Sequence, residues 1–229
     1  MIFVRSIALN SSQKTTGAKE ALEADGNAVY VNDLVAIDFN PVPGRADFVS
    51  VFNADRLDLQ DEQKHAARGG GSFAPDVQAQ MDMLVWCDVV IHVFPLHWWN
   101  MPALHKGWID RIIAYHWCYG SGEPGDLNPP NELLRGRKWM CVSSSGGPAF
   151  VYDKPGRVHP EAPPIDEMLW NVTQATPNFC GFEALPLFHC GGARTCGDEG
   201  RAAMSTDFVN HVRRYNLPLS LSLVSHLQA

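Results

Sequence analysis

Two loops of the sequence combine residue types that suit the binding of a flat ligand with polar edges. The first loop reads Pro95-Leu96-His97-Trp98-Trp99-Asn100 and follows the apolar run Asp88–Phe94. Adjacent tryptophans are costly to expose to water, and they usually cover something large and flat. A plug for the core or for a subunit interface is an equally good interpretation from composition and position alone.

The second loop reads Ser144-Ser145-Gly146-Gly147 and follows the apolar run Trp139–Ser143. Small residues let backbone N–H groups approach a ligand closely, and successive amides suit an electron-rich acceptor. Ser-Gly runs are also common turns, so this pattern alone is a weak indication. The stretch from Trp99 to Gly146 is long enough for one helix and one strand, and such a crossover places both loops at one edge of a sheet. We therefore expect the two loops to frame one pocket.

Tyr152 and His159 lie in the segment Phe150–Pro164, which is rich in proline and charge. A phenol and an imidazole can each donate or share a proton near neutral pH. The chain has nine histidines, so an ordinary surface pair is the default interpretation without further context.

The elements that must position these residues alternate along the chain. Apolar runs predict strands, and helix-length periodic segments lie between them. The predicted strands are Ile2–Leu9, Ala28–Val31, Asp88–Phe94, Trp139–Ser143 and Ala184–His189, and the predicted helices are Lys14–Ala24, Asp76–Trp86, Pro102–His116, Asp166–Asn178 and Asp198–Tyr215. Three further segments are predicted to be loops, namely Asn53–Ser72, Gly120–Arg137 and Phe150–Pro164.

This alternation predicts the α/β class, as a flavodoxin-like doubly wound five-stranded parallel sheet with helices on both faces. Ligands of such sheets bind beyond the carboxyl ends of the strands, where both loops are expected. No linker divides the chain, so residues 1–229 are predicted to form a single domain with a C-terminal tail from about 216.

Composition excludes several classes of protein. Of the 229 residues, 45% are hydrophobic and 19% are charged, which excludes a disordered chain. A net charge of −7 without a Lys/Arg block is a poor match to nucleic acid. No apolar run approaches the roughly 18 residues of a membrane span, and the first residues do not fit a signal peptide.

Six cysteines form no CxxC pair, and four of them lie in apolar stretches, which fits a reducing, cytoplasmic compartment. His189, Cys190 and Cys196 match no standard zinc spacing and lack an evident fourth ligand. No metal site is therefore predicted.

The first loop and the helix after it resemble a known family. The run from Phe94 to Arg111, FPLHWWNMPALHKGWIDR, is similar to the signature of NAD(P)H:quinone oxidoreductases of the DT-diaphorase and modulator-of-drug-activity type. The Ser145-Gly146-Gly147 loop with Tyr152 and His159, and the run Phe179-Cys180-Gly181-Phe182, are also similar to that family. The resemblance extends from about Glu20 to Arg201.

The resemblance implies an NAD(P)H dehydrogenase (quinone), in which NAD(P)H reduces FAD and the FAD then reduces a quinone or a related small aromatic acceptor, two electrons at a time in ping-pong order. FAD is favoured over FMN. The implied cofactor-binding residues are Asn10, Ser11, Gln60, Pro95, Leu96, His97, Trp98, Trp99, Ser145, Gly146, Gly147, Tyr152 and Arg201. The implied substrate-pocket residues are Trp98, Tyr119, Gly120 and His159.

Within that family pattern, Tyr152 and His159 would be the catalytic residues, which stabilise the reduced flavin and handle the proton. Tyr119 would reach the pocket from the partner subunit, because the resemblance implies a homodimer with shared active sites. The spacing from Tyr152 to His159 is one residue longer than is common in the family. His97 stands where the family often has glutamine or an aromatic residue.

The beginning of the chain departs from the family, because the usual Ala-His-Pro element for the FAD pyrophosphate is missing. Either Ala8-Leu9-Asn10 corresponds to the family's Ser-Phe-Asn element, or Asn10-Ser11-Ser12 forms a shortened phosphate loop after the strand Ile2–Leu9. Two other functions stay open. One is a flavin-binding regulatory subunit of a membrane transporter with incidental reductase activity, and the other is a one-electron FMN carrier, which the paired tryptophans argue against.

Overall fold

The computed structural model describes residues 2–5, 12–120, 132–156 and 159–215. Its strands form one sheet in which every pair is parallel. The strands are β1 Ile2–Arg5, β2 Tyr30–Asp33, β3 Val89–Pro95, β4 Lys138–Ser144, β5 Glu183–Ala184 and β6 Phe188–Cys190. Their order is β2-β1-β3-β4-β5, and β6 also pairs with β4. The strand order reverses at β1 and β3, as in a doubly wound sheet.

The fifth predicted strand, Ala184–His189, is divided in the structure into β5 and β6. Leu185 still donates its amide to the Trp139 carbonyl at 2.8 Å. Pro186 comes next and has no N–H to donate to the sheet, so the pairing with β4 stops and resumes only at Phe188.

The helices are α1 Ser12–Ala24, α2 Leu59–Ala67, α3 Pro75–Trp86, α4 Ala103–Ile112, α5 Ile165–Met168, α6 Thr176–Phe179 and α7 Gly197–Arg213. The helix predicted at Asp166–Asn178 is instead broken into α5, a π-helical turn at Asn171–Ala175, and α6. None of the described helices is long and apolar enough to cross a membrane.

The prediction that Asn53–Ser72 is a loop was wrong, because this segment contains α2. The Asp58 carboxylate caps the helix by accepting from the amides of Gln60 and Asp61, at 3.2 and 3.4 Å. The polar composition of α2 hid its helical period, whereas the capping residue was visible in the sequence. The predicted loop Gly120–Arg137 lies largely outside the described residues, because residues 121–131 are not described. Its described part includes a 3₁₀ turn at Glu132–Leu134.

Helices cover both faces of the sheet, as predicted. In β3, Val89 and Ile91 belong to a core cluster with α1 and α7, whereas Val90 and Phe94 belong to a second cluster with α3 and α4. This alternation follows from the pleat of a strand, in which successive side chains point to opposite faces. The tail predicted from about 216 lies outside the described residues.

Candidate active site

The first predicted loop leaves the end of β3 and closes into a tight turn. Amide and carbonyl groups of His97 and Asn100 bond each other at 2.8 and 3.0 Å across the two tryptophans. Trp98 and Trp99 both adopt left-handed backbone conformations, with φ of 50° and 59°. Such a conformation costs a non-glycine residue about 1 kcal/mol or more, so the turn holds the tryptophans in a strained geometry.

The strain is not offset by burial of the indole rings. Trp98 is 89% exposed and Trp99 is 46% exposed. A strained, exposed aromatic pair on an ordered turn is a typical binding surface, because the described part of the chain leaves much of both apolar rings uncovered. The core-plug interpretation of this pair therefore does not fit the described chain.

The second predicted loop lies directly beside the first. The Leu96 amide donates to the Ser144 carbonyl at 2.7 Å, which ties the start of one loop to the start of the other. Both loops thus stand at the carboxyl ends of neighbouring strands, as the sequence predicted.

Hydrogen bonds from the segment after β6 support the second loop. The Ser145 amide donates to the Cys190 carbonyl at 3.0 Å, and the Ala193 amide donates to the Ser145 carbonyl at 3.0 Å. The Gly192 amide donates to the Gly147 carbonyl at 2.6 Å. At Gly191 a Cβ would lie 2.1 Å from the Ala149 nitrogen, so only glycine permits this close approach.

Two amides of the second loop are available to an external acceptor. The N–H groups of Gly146 and Gly147 have no acceptor among the residues that the structure describes. A Cβ at Gly146 would meet no atom nearer than 4.0 Å, so the space beside this amide is open. At Gly147 a Cβ would lie 3.3 Å from the ring of Tyr152, so glycine lets that ring come close.

These features fit the flavin that the sequence resemblance implies. A flavin has a flat ring system that suits the exposed indoles and a carbonyl-bearing edge that accepts from backbone amides. Pro95 and Leu96 are partly buried at the base of the first loop, and His97 is exposed on its turn. The described residues therefore offer both kinds of contact at one edge of the sheet.

His189, which the sequence presented only as a possible metal ligand, lies beneath the second loop. The Nδ1 atom of His189 is 2.8 Å from the Ser143 hydroxyl, and its Nε2 atom is 3.1 Å from the Ser145 hydroxyl. Burial lowers the pKa of His189 to about 4. In the described part of the chain, no group of three or more His, Cys, Asp or Glu side chains could hold a metal ion.

The two predicted catalytic residues, Tyr152 and His159, lie in different surroundings. The ring of Tyr152 lies 5.3 Å from that of His189 in an edge-to-face arrangement. The His159 imidazole is exposed, and its Nδ1 accepts from the Glu161 amide at 3.3 Å. Tyr152 thus joins the second loop, whereas His159 bonds within its own surface segment.

A second group of predicted site residues lies apart from the loops. Gln60 and Tyr119 line a cavity of about 630 Å³ together with Phe179, whose ring is 5.2 Å from that of Tyr119. Burial raises the pKa of the Tyr119 phenol, although a hydrogen bond from Gln60 opposes this shift. No residue of either loop lines this cavity.

In the sequence Phe179 belongs only to the run that resembles the family, and its contact with Tyr119 in the structure makes it a site candidate. Gly120 follows Tyr119 with φ of +79°, and a Cβ there would lie 2.4 Å from the Tyr115 ring. The backbone at Gly120 therefore depends on glycine for both its conformation and its space.

The structure says little about the residues predicted to bind the pyrophosphate and adenine parts of FAD. Asn10 and Ser11 lie outside the described residues. Arg201 lies on α7, where its guanidinium pairs with Asp198 three residues earlier. The position of this pair carries no indication of an adenine pocket.

Comparisons with known proteins agree with this fold. The family model described as "Flavodoxin-like fold" matches residues 6–213. A ribosyldihydronicotinamide dehydrogenase (quinone) of Pongo abelii is 30% identical over 176 residues, which are 77% of this chain and 72% of that protein. A ribosyldihydronicotinamide dehydrogenase-like protein of Penicillium crustosum is 33% identical over 175 residues, 75% of this chain but only 64% of that protein.

Among solved structures, a putative quinone reductase from Klebsiella pneumoniae superimposes with a TM-score of 0.82 at 25% identity, covering 93% of this chain and 83% of that one. The chain spans less than two thirds of the length of the Penicillium relative, so the comparison with that protein concerns only the shared part. The chain therefore belongs to the flavodoxin-like family, and within it to the same family as the ribosyldihydronicotinamide dehydrogenase (quinone) of Pongo abelii.

Proposed function

We propose that this protein is a flavin-dependent NAD(P)H:quinone oxidoreductase that carries two electrons from NAD(P)H to a quinone in ping-pong order. The observation that supports it most directly is the pair of amides at Gly146 and Gly147, which have no acceptor in the described chain, beside the exposed rings of Trp98 and Trp99. The names of the relatives, which are quinone dehydrogenases and reductases, point in the same direction.

In this proposal each part of the site has a separate task. The turn at Trp98 and Trp99 would support one side of the flavin ring, and the amides of Gly146 and Gly147 would donate to its pyrimidine edge. When bound, a flavin would supply the redox chemistry, which is the acceptance of a hydride from NAD(P)H and the two-electron reduction of the acceptor. Fixed donors at that edge stabilise negative charge without having to reorganise.

Tyr152 lies against the same loop and is proposed to place its hydroxyl at that edge of the flavin. His159 stays a predicted proton donor on the basis of the family resemblance alone. Its exposed imidazole would have to leave its bond with the Glu161 amide to serve in that role.

The same proposal includes a homodimer with shared sites. Tyr119 and Phe179 form an aromatic wall that is separate from the two loops of the same chain. A second copy can place this wall over the loops of the first, which would close the pocket on the side that the exposed indoles leave open. Tyr119, Gly120 and Gln60 then act on the partner's pocket, as the resemblance implies.

The first experiment is a visible absorption spectrum of the purified protein after incubation with excess FAD or FMN and desalting. Retained flavin bands that NAD(P)H bleaches and a quinone restores are expected, with FAD held more tightly than FMN. A protein that stays colourless with both flavins would contradict the proposal and leave the regulatory-subunit alternative ahead.

A matched pair of tryptophan variants tests the assignment of the site. Trp98→Ala is expected to weaken flavin binding at least tenfold, because it removes the most exposed ring of the turn. Trp86→Ala removes a tryptophan that is 41% exposed at the end of α3, before β3 and so away from the carboxyl edge of the sheet. Equal affinity for flavin in the two variants would remove the first loop from the site.

A further inference from the structure

The imidazole of His189 is a polar group that neither the family pattern nor the proposed reaction assigns to a task. Strand β6 pairs with β4 in a register that sets His189 opposite Ser143. The His189 side chain therefore lies between Ser143 near the end of β4 and Ser145 in the loop that follows. A serine hydroxyl lies within hydrogen-bonding distance of each ring nitrogen.

The directions of its hydrogen bonds follow from the partners. The Ser145 hydroxyl donates to the Gly147 carbonyl at 2.8 Å, and because a carbonyl cannot donate, the hydroxyl proton is used there. The same hydroxyl oxygen must then accept from His189, so the proton of the neutral imidazole sits on Nε2. The Nδ1 atom is left as an acceptor, and the Ser143 hydroxyl donates to it.

The result is a one-way series of hydrogen bonds from the sheet to the loop. It runs from the Ser143 hydroxyl through the two nitrogens of His189 to the Ser145 hydroxyl, and it ends on the Gly147 carbonyl. Ser143 is fully buried and Ser145 is nearly so, so these bonds are shielded from competition by water.

The third contact of the imidazole is with the ring of Tyr152. That ring lies edge-to-face on His189 at 5.3 Å, and it also lies close to Gly147. One imidazole therefore contacts both the loop that carries the unused amides and the phenol beside them. The His159 side chain, in contrast, bonds within its own exposed segment.

We propose that His189 is a positioning residue, which in its Nε2–H form holds the Gly146–Gly147 amides and the Tyr152 ring in the orientation that a bound flavin requires. This inference rests on the proposed function for the identity of the ligand, but the state of the imidazole does not depend on it. Donors held by a second layer of hydrogen bonds keep their geometry without cost at the moment of reaction.

The inference is tested first without any flavin. Nitrogen-15 NMR of the histidine rings in the wild-type protein should show that His189 carries its proton on Nε2 at neutral pH. A signal from Nδ1–H, or from a doubly protonated ring, would overturn the series of hydrogen bonds whether or not the protein binds flavin.

Two substitutions then separate the contacts of the ring from those of its nitrogens. His189→Phe keeps an aromatic ring against Tyr152 and removes both hydrogen bonds, whereas His189→Gln can keep a donor and an acceptor. We expect His189→Phe to bind the reduced flavin about tenfold more weakly relative to the oxidised flavin. For a two-electron couple this is a fall of about 30 mV in midpoint potential. We expect His189→Gln to recover part of that loss.

His211→Gln is the matched control, because His211 packs on the Phe188 ring next along β6 and touches neither serine. The midpoint potential of the flavin bound to this variant should equal that in the wild type. If His189→Phe does not fold, Ser145→Ala breaks the series at its last link and should lower the potential in the same direction. Wild-type potential in both His189→Phe and Ser145→Ala would overturn the inference, whereas a wild type that binds no flavin would contradict the proposed function instead.

Discussion

The two loops at the carboxyl edge of the sheet are ordered in different ways. The turn at His97–Asn100 is closed by its own two hydrogen bonds and carries its tryptophans in strained conformations. The loop at Ser145–Gly147 has no residue with a positive φ, and most of its bonds come from the end of β6 and the segment after it. One loop is therefore defined locally, whereas the other is defined by parts of the chain that are distant in sequence.

The histidines beneath the loops show the same difference. Below the first loop, His92 of β3 and His105 of α4 bond only each other, with 3.1 Å between Nδ1 and Nε2. Their other ring nitrogens have no partner in the described chain. Below the second loop, both nitrogens of His189 bond serines. A buried histidine can thus be a source of instability in one place and a support in another.

The largest expected effect is acid destabilisation through the pair below the first loop. Burial lowers the pKa of His105 to about 3, and burial followed by the charge of its neighbour lowers that of His92 well below its usual value. The unfolded chain binds protons below about pH 6.5 that the folded chain does not. The free energy of unfolding should therefore fall as the pH drops below about 6.5, with a limiting slope of about 1.4 kcal/mol per pH unit for one buried histidine.

Urea unfolding at several pH values measures that slope. The double substitution His92→Leu and His105→Leu should reduce the slope and leave the smaller contribution of His189, whose pKa burial also lowers. Leucine has a similar volume and leaves no buried polar atom unpaired. A double variant that keeps the wild-type slope would mean that the acid sensitivity arises elsewhere.

The next largest effect concerns the support of the second loop. Gly191→Ala places a Cβ against the Ala149 backbone and should destabilise the fold by about 2 kcal/mol while weakening flavin binding. Gly44→Ala is the control, because no atom lies within 4 Å of the added methyl group and the backbone there is extended. Thermal unfolding of the two variants measures the difference, and equal melting temperatures would show that the second loop tolerates displacement.

The smallest effect should have the opposite sign. Asparagine tolerates the left-handed conformation better than tryptophan does, so Trp98→Asn should stabilise the folded chain by about 0.5 to 1 kcal/mol. The same change should weaken flavin binding, because the exposed ring is lost. A variant that is neither more stable nor weaker in binding would show that the strain of this turn has no link to the ligand.

Much of the fold and of both loops could be predicted from the sequence. The apolar runs that became β3 and β4 are long and nearly continuous, so the position of each following loop was fixed within a residue or two. The helix α2 was missed because its residues are mostly polar, and only the Asp58 cap indicated it. The break in the fifth strand was not predicted, although Pro186 could have indicated it, and the pairing on both sides of the break depends on β4.

The support of the site could not be predicted from local patterns. His189 and Ser143 are 46 residues apart and meet only through the register of β4 and β6. In the sequence His189 was considered only with Cys190 and Cys196 as a possible metal ligand, which was not predicted, and nothing there indicated a hydrogen bond to serine. Tyr119 and Phe179 are likewise 60 residues apart in the sequence, and their rings meet only because α6, which carries Phe179, packs beside Tyr119.

The exposure of Trp98 also has a spectroscopic consequence. Trp108 and Trp139 are fully buried, whereas the indole of Trp98 is almost completely surrounded by water. Its emission should therefore lie at the long-wavelength end of the protein's fluorescence, and the difference spectrum between the wild type and Trp98→Phe should isolate it. Any molecule that covers this edge of the sheet would quench that component or shift it to shorter wavelength, so the chain carries its own optical probe of occupancy at the turn.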